Sequence, residues 1–154
     1  ADLIVFAREM EQTKRYFTFE VARFGADRVE MEMRIDPRVE DMLVPPFLLQ
    51  PLVENAVRHA MPSEGKLTIE VTGEVTGNDV IVRVCDNGVG MTEEARCNIL
   101  HPESSLGLGI AVKNVHDRIC GYFGPGTHME VESELGKGTC VILVLKEGAL
   151  REYQ

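Results

Sequence analysis

The strand-like segments of this sequence come mostly in adjacent pairs, separated by turn signals and not by helices. The first pair is residues 67–72 and 80–85 around a Gly77-Asn78-Asp79 turn, and the second is residues 129–133 and 139–145 around Gly136-Lys137-Gly138. Hairpin pairing of this kind predicts antiparallel neighbours. Because a doubly wound sheet needs a crossover helix between successive strands, the pattern excludes that architecture.

Two segments with a 3.6-residue apolar period, residues 2–24 and 47–61, are predicted helices, and a third helix follows Gly107 and runs to about residue 122. Residues 29–35 alternate apolar and charged side chains, which predicts a half-buried strand. The polar stretch from about residue 92 to 105 has no useful periodicity. Together these segments predict an α+β two-layer sandwich, with a mixed, mainly antiparallel sheet covered on one face by helices. We expect residues 1–154 to form a single domain.

The charge balance of the chain is acidic, with 16 Lys and Arg against 25 Asp and Glu and a formal net charge of −9. Nucleic acids and anionic membranes bind clustered Lys and Arg, so we expect no nucleic-acid partner. No apolar run approaches the roughly 18 residues that a membrane span requires, and we expect no direct membrane contact from this domain.

The four cysteines, Cys85, Cys97, Cys120 and Cys140, have no CxxC spacing. A metal site would need Cys and His pairs that converge at short spacing. We therefore expect four free thiols, buried or half-buried, in a reducing cytosol.

Three polar clusters interrupt these well-patterned segments and are the candidate functional positions. The first lies in the helix of residues 47–61, where Asn55 and His59 stand at the edge of the apolar face and Arg58 on its polar flank. An Asn oxygen can bind a hard cation, and an Arg one turn further on can reach an anion held by that cation. An ordinary helix surface with a Glu54–Arg58 pair explains the same residues.

The other two clusters are rich in glycine. Asp86-Asn87-Gly88-Val89-Gly90 follows the most apolar strand. Its carboxylate can accept a hydrogen bond from an exocyclic amine, and its glycines let a ligand approach the backbone, although a simple β-turn has the same composition. Gly107-Leu108-Gly109 opens a helix, where backbone amides and the helix dipole favour a phosphate. A lone Gly-x-Gly pair is weak evidence for such a site.

Taken in order, the three clusters resemble the N, G1 and G2 boxes of the GHKL ATPase superfamily. Within it, the chain resembles the ATP-binding catalytic domain of LytS-type sensor histidine kinases of two-component systems. The closer match rests on residues 45–59 (PPFLLQPLVENAVRH), residues 113–119 (KNVHDRI), Tyr122-Phe123-Gly124, and Gly136-Lys137-Gly138-Thr139. The resemblance covers nearly the whole chain and implies the Bergerat-type ATP-binding fold.

The resemblance also implies a role for each matching residue. Asn55 would hold an Mg²⁺ ion that bridges the ATP phosphates, Arg58 would face those phosphates, and Asp86 would accept from the adenine amino group. A carboxylate repels the carbonyl that guanine has at that position, so the site would select adenine. Glu54 completes a catalytic set with Asn55 and Arg58. The further nucleotide-binding positions implied are His59, Gly88, Gly90, Met91, Leu106, Gly107, Leu108, Gly109, Lys113 and Thr139.

Two departures from the family pattern carry consequences. Hydrolysing members place a Glu four residues before the Asn, where this chain has Pro51, and Glu54 lies about 100° away around the helix. We therefore expect weak or absent ATP hydrolysis. Two additional residues also separate Gly107-Leu108-Gly109 from Asn114, so an alternative register pairs Gly109 with Ala111.

The function implied is transfer of the ATP γ-phosphate to a His on an upstream dimerisation segment that is absent from this chain and continuous with the helix of residues 2–24. A cognate response regulator would be the next partner, and the domain would be the cytoplasmic part of a membrane-anchored sensor. None of the chain's own histidines, His59, His101, His116 and His128, has the expected acceptor context, so we expect nucleotide binding without autophosphorylation. Three alternatives stay open: a pseudokinase that binds ATP and partners, another GHKL ATPase, and an anti-sigma-type protein kinase.

Overall fold

The computed structural model describes residues 3–99 and 108–146, and these form seven strands and five helices. The strands are β1 (Ile4–Val5), β2 (Val29–Ile35), β3 (Leu43–Val44), β4 (Leu67–Thr76), β5 (Asp79–Asp86), β6 (His128–Glu134) and β7 (Gly138–Leu145). The helices are α1 (Phe6–Phe24), α2 (Pro37–Glu40), α3 (Gln50–Ala60), α4 (Glu93–Asn98) and α5 (Leu108–Tyr122). Of these helices, none is both long enough and apolar enough to cross a membrane.

Five of the strands form one mixed sheet with the spatial order β2-β4-β5-β7-β6. The pairs β4–β5, β5–β7 and β6–β7 are antiparallel, and β2 runs parallel to β4. The two predicted hairpins are thus present, and the prediction of a mixed, mainly antiparallel sheet is correct. β1 and β3 form a separate two-stranded ribbon.

The helices cover one face of this sheet because the strands alternate apolar and polar side chains. Leu67, Ile69 and Val71 of β4 are fully buried, whereas the residues between them are half-buried. The apolar sides of α3 and α5 pack on this face, and the two helices also pack against each other. They contribute Leu52, Val53, Ala56, Val57, Val112, Val115 and Ile119 to the core.

The opposite face of the sheet carries charged side chains along β2 and β4. Cross-strand ion pairs join Arg34 to Glu70 at 2.5 Å and Lys66 to Glu30 at 3.0 Å. Exposed pairs of this kind contribute little to the free energy of unfolding. The same character extends to β6 at the other edge, where Glu130 and Glu132 are exposed.

Three elements differ from their predicted bounds. The helix predicted from residue 2 begins at Phe6, because Ile4–Val5 pair with Leu43–Val44. The helix predicted from residue 47 begins at Gln50, because the chain turns at Phe47, whose φ is 62°. The polar stretch contains a short helix that the sequence did not predict, α4, whose first turn is capped by the Thr92 hydroxyl accepting from the Ala95 N–H at 3.2 Å.

The expectation of four free thiols is wrong for Cys85 and Cys140, which form a disulfide. They lie directly opposite each other on β5 and β7, with their Cα atoms 4.0 Å apart, on the sheet face away from the helices. The pairing depends on strand register, which their separation of 55 residues in the sequence does not reveal. Cys97 and Cys120 are free, as predicted, but they are exposed.

Candidate functional site

A cavity lies between α3 and the neighbouring ends of β5 and β7. Its volume is about 70 Å³, several times the roughly 10–15 Å³ that a single water needs. It can therefore hold several waters. It is lined by Leu52, Asn55, Ala56, His59, Ala60, Val84, Asp86, Val89, Gly90, Met91, Ile99, Thr139 and Val141.

Asp86, the last residue of β5, supplies the carboxylate of this cavity. Its Oδ1 atom accepts from the Gly88 N–H at 2.8 Å and from the Thr139 N–H at 3.3 Å. Both bonds fall on Oδ1, which leaves Oδ2 to accept from a ligand. Burial raises the pKa of Asp86, and the two backbone hydrogen bonds oppose that shift.

The loop after β5, which borders the cavity, tolerates only glycine at two positions. A Cβ at Gly88 would stand 2.1 Å from the Ala60 carbonyl oxygen, and one at Gly90 would stand 2.0 Å from the carbonyl oxygen of Glu134. Gly90 also has a φ of 70°, which L side chains rarely adopt. The loop after β5 is therefore pressed between the end of α3 and the β6–β7 turn.

Ser133 fixes the far side of this loop and was not predicted. Its hydroxyl oxygen accepts from the Met91 N–H at 2.8 Å, donates to the Gly138 carbonyl at 3.0 Å and lies 2.7 Å from the Thr139 Oγ1 atom. A serine in a strand carries no motif signal, so only the β6–β7 register reveals this role.

The α3 wall of the cavity carries Asn55 and His59, one turn apart. Asn55 is half-buried, as its predicted place at the apolar edge requires. Burial and the neighbouring Arg58 charge lower the pKa of His59, which favours the neutral ring. The structure thus brings Asn55 and His59 together with Asp86, Gly90, Met91 and Thr139.

Glu54 and Arg58 lie on another side of α3. They line a groove between α1 and α3 together with Tyr16, Glu20 and Arg23. The Glu54 carboxylate accepts from the side-chain amide of Gln50 at 2.8 Å. Neither residue lines the cavity that holds Asp86.

The predicted phosphate loop is only partly described. Leu106 and Gly107 lie outside the described residues, while Leu108 and Gly109 begin α5. Lys113 of α5 is bound to Asp117, with Nζ 2.9 Å from Oδ1 and 2.8 Å from Oδ2. To contact a phosphate, this ammonium would have to leave that ion pair.

Comparison with known proteins places these features in a family. A family described as "Histidine kinase-, DNA gyrase B-, and HSP90-like ATPase" matches residues 47–149. The sensor protein LytS of Bacillus cereus is 36% identical over 156 residues, which cover 99% of this chain and 26% of that protein. The sensor histidine kinase/phosphatase LytS of Staphylococcus aureus is 33% identical over 136 residues, which cover 84% of this chain and 23% of that protein. This chain thus spans about a quarter of the length of these relatives.

Solved structures share the fold. The catalytic domain of the histidine kinase ThkA superposes with a TM-score of 0.70 at 20% identity, covering 94% of this chain and 95% of that one. The histidine kinase domain of a blue-light activated kinase from Erythrobacter litoralis superposes with a TM-score of 0.66 at 18% identity, covering 97% and 63%. At these identities the likeness shows the fold alone, and it confirms the predicted architecture.

Proposed function

Because this chain belongs to the family of histidine kinase-, DNA gyrase B- and HSP90-like ATPases, we propose that it presents Mg·ATP to a phosphoacceptor His. A single observation carries the proposal: the Asp86 carboxylate lines a cavity together with Asn55, and the loop beside it admits only glycine at positions 88 and 90. The curated relatives are sensor proteins, which supports a kinase rather than another ATPase.

Recognition of the base rests on Asp86. Backbone amides of Gly88 and Thr139 hold its Oδ1 atom, so the carboxylate is oriented before a ligand arrives. Its other oxygen would accept from the adenine amino group, whereas the guanine carbonyl would meet a negative charge. The half-buried position strengthens this discrimination, because water screens it less.

The phosphate end of the site is proposed to begin at Asn55. Mg²⁺ usually takes one or two protein ligands and completes its shell with phosphates and waters, so one amide oxygen fits it. When bound, the ion would neutralise phosphate charge, which matters in a domain with a net charge of −9. Arg58 is proposed to reach the phosphates from its place on the flank of the same helix.

We propose that the γ-phosphate is kept for a protein acceptor and not passed to water. The position one turn before Asn55 on α3 is Pro51, whose ring has no group that accepts a proton. Positioning and charge neutralisation are then what the chain supplies to the transfer. Steady-state hydrolysis by this chain above about 1 s⁻¹ would contradict the proposal.

The remaining partners belong to the longer protein. We propose that the acceptor His lies on a dimerisation segment upstream of α1, since His59 lines the cavity wall and His128 lies on β6. A response regulator would receive the phosphoryl group. The domain would work in the cytoplasm, where ATP is found, as part of a membrane-anchored sensor, and would not autophosphorylate alone.

The test is a calorimetric titration with ATP and with GTP. We expect wild type to bind ATP selectively and Asp86→Asn to lose roughly ten- to a hundredfold in affinity, because a charged hydrogen bond is lost. Asp79→Asn is the matched control: it removes the same charge at the other end of β5, where the carboxylate pairs with Lys146 at 3.0 Å. Equal binding of GTP, or equal losses in both variants, would overturn the assignment.

A further inference from the structure

Glu9 is a fully buried carboxylate on α1 that lies outside the cavity. Its Oε1 atom accepts from the Phe47 N–H at 3.2 Å, and its Oε2 atom accepts from the N–H groups of Leu49 at 3.0 Å and Gln50 at 3.3 Å. The first amides of a helix have no partner within the helix and carry its positive dipole end. A side chain of one helix therefore caps the start of another, α3.

The peptide at Phe47 is held from both sides. Its N–H donates to Glu9, and its carbonyl accepts from the Arg118 guanidinium of α5 at 2.8 Å. Phe47 is the only residue other than glycine with a positive φ in the described part of the chain. A backbone of this kind persists only where its surroundings enforce it. One loop thus joins α1, α3 and α5.

We propose that Glu9 is a positioning residue for the nucleotide site, through which α1 sets the placement of Asn55. The inference rests on the proposed role of Asn55 toward Mg·ATP. Asn55 follows the capped residues on the same helix, so a shift or rotation at Gln50 is carried along α3 to the cavity wall. Any movement of α1 against α3 is then converted into a change in Mg²⁺-dependent affinity for ATP.

A cap that only stabilises the fold predicts something different. It would change the free energy of unfolding and leave the ratio of ATP affinities with and without Mg²⁺ unaltered. That ratio is therefore the readout that separates a positioning role from a structural one.

The experiment compares wild type with Glu9→Gln, and with Glu11→Gln as the matched control on the exposed side of the same helix. ATP affinity is measured by calorimetry with and without Mg²⁺, and hydrogen exchange is followed at the Leu49 and Gln50 amides. For Glu9→Gln we expect faster exchange at both amides and a loss of roughly ten- to a hundredfold in affinity with Mg²⁺, the range found when a residue supporting a metal ligand is removed. Affinity without Mg²⁺ should change little, and the control should match wild type.

The same substitution in an Asn55→Ala background completes the test. If Glu9 acts through Asn55, the effect on Mg²⁺-dependent affinity disappears there, while the faster exchange remains. An unchanged affinity ratio in Glu9→Gln, or an effect that persists in the Asn55→Ala background, overturns the inference and leaves the proposed function intact. If wild type itself shows no Mg²⁺-dependent binding, both proposals are overturned.

A second variant, at Arg118 of α5, tests the same loop. Should Glu9→Gln fail to fold, Arg118→Gln removes the other hydrogen bond to Phe47 from a less buried position. We expect Arg118→Gln to lower the ratio of ATP affinity with Mg²⁺ to ATP affinity without it, and to lower it less than Glu9→Gln does. No change in a folded Arg118→Gln protein would then overturn the inference.

Discussion

Gly88 lies directly against Ala60, so that a Cβ on Gly88 would stand 2.1 Å from the Ala60 carbonyl oxygen. The same oxygen accepts from the Val89 N–H at 3.0 Å. The end of α3 and the loop after β5 therefore touch backbone to backbone. Two walls of the candidate site, one with Asn55 and one with Asp86, are fixed to each other at this point.

Gly88→Ala tests that contact. The added methyl group forces α3 and the loop apart, so we expect the free energy of unfolding to fall by about 1–3 kcal/mol, together with a loss of ATP binding. Gly121→Ala on α5 is the control, since a Cβ there meets no atom within 4 Å. Denaturant unfolding and calorimetry measure both effects. If Gly88→Ala keeps wild-type stability and ATP affinity, the loop can move to accommodate the methyl group and the prediction is wrong.

Asn55→Ala tests the proposed metal ligand. We expect ATP affinity to fall in the presence of Mg²⁺ and to change little in its absence, because only the metal-bound complex uses the amide oxygen. Gln12→Ala, on α1 and away from the cavity, is the control. Calorimetry under both conditions supplies the comparison, and equal losses with and without Mg²⁺ would remove Asn55 from the metal role.

The site residues that could be predicted are those that lie close together in the sequence. Asp86, Gly88 and Gly90 form one short run after an apolar strand, and the structure places that run at the cavity. Ser133 was missed because a serine in a strand carries no motif signal. The hairpin of β6 and β7 was predicted from its turn, but the contact of Ser133 with Met91 joins positions 42 residues apart and has no local signature.

The fold shows the same division between features that neighbouring residues signal and features that join distant positions. Short turns between strands revealed the two hairpins, whereas the cap by Glu9 joins positions about forty residues apart and left no local signal. The start of α3 was misplaced for that reason. The Cys85–Cys140 bond was missed because it, too, depends on register.

His128 makes stability depend on pH. The Gly126 carbonyl near Nδ1 and the Glu130 carboxylate near Nε2, each at 2.8 Å, raise the pKa of His128. A pKa raised in the folded state gives stability that is fully present below the ordinary value of about 6.5 and is lost as the pH rises through the higher folded value. We therefore expect the Tm difference between wild type and His128→Gln to shrink as the pH rises above that ordinary value. A difference that is constant across this range would contradict the assignment.

The disulfide predicts a simple labelling result. Alkylation of the unfolded, unreduced chain should modify Cys97 and Cys120 alone, and prior reduction should add Cys85 and Cys140. Intact mass measures the number of labels. If all four thiols react without reduction, Cys85 and Cys140 are not bonded to each other and the disulfide assignment is wrong.

The charges along the two outer strands of the sheet bear on how the domain behaves at high concentration. Within the described residues, β2 and β6 each leave one row of backbone groups without a neighbouring strand, and such rows can recruit a second chain and seed aggregates. Exposed Glu30, Arg34, Glu130 and Glu132 make that recruitment unfavourable, because a docking strand would have to desolvate them or meet like charge. Samples should therefore remain dispersed when concentrated for titration.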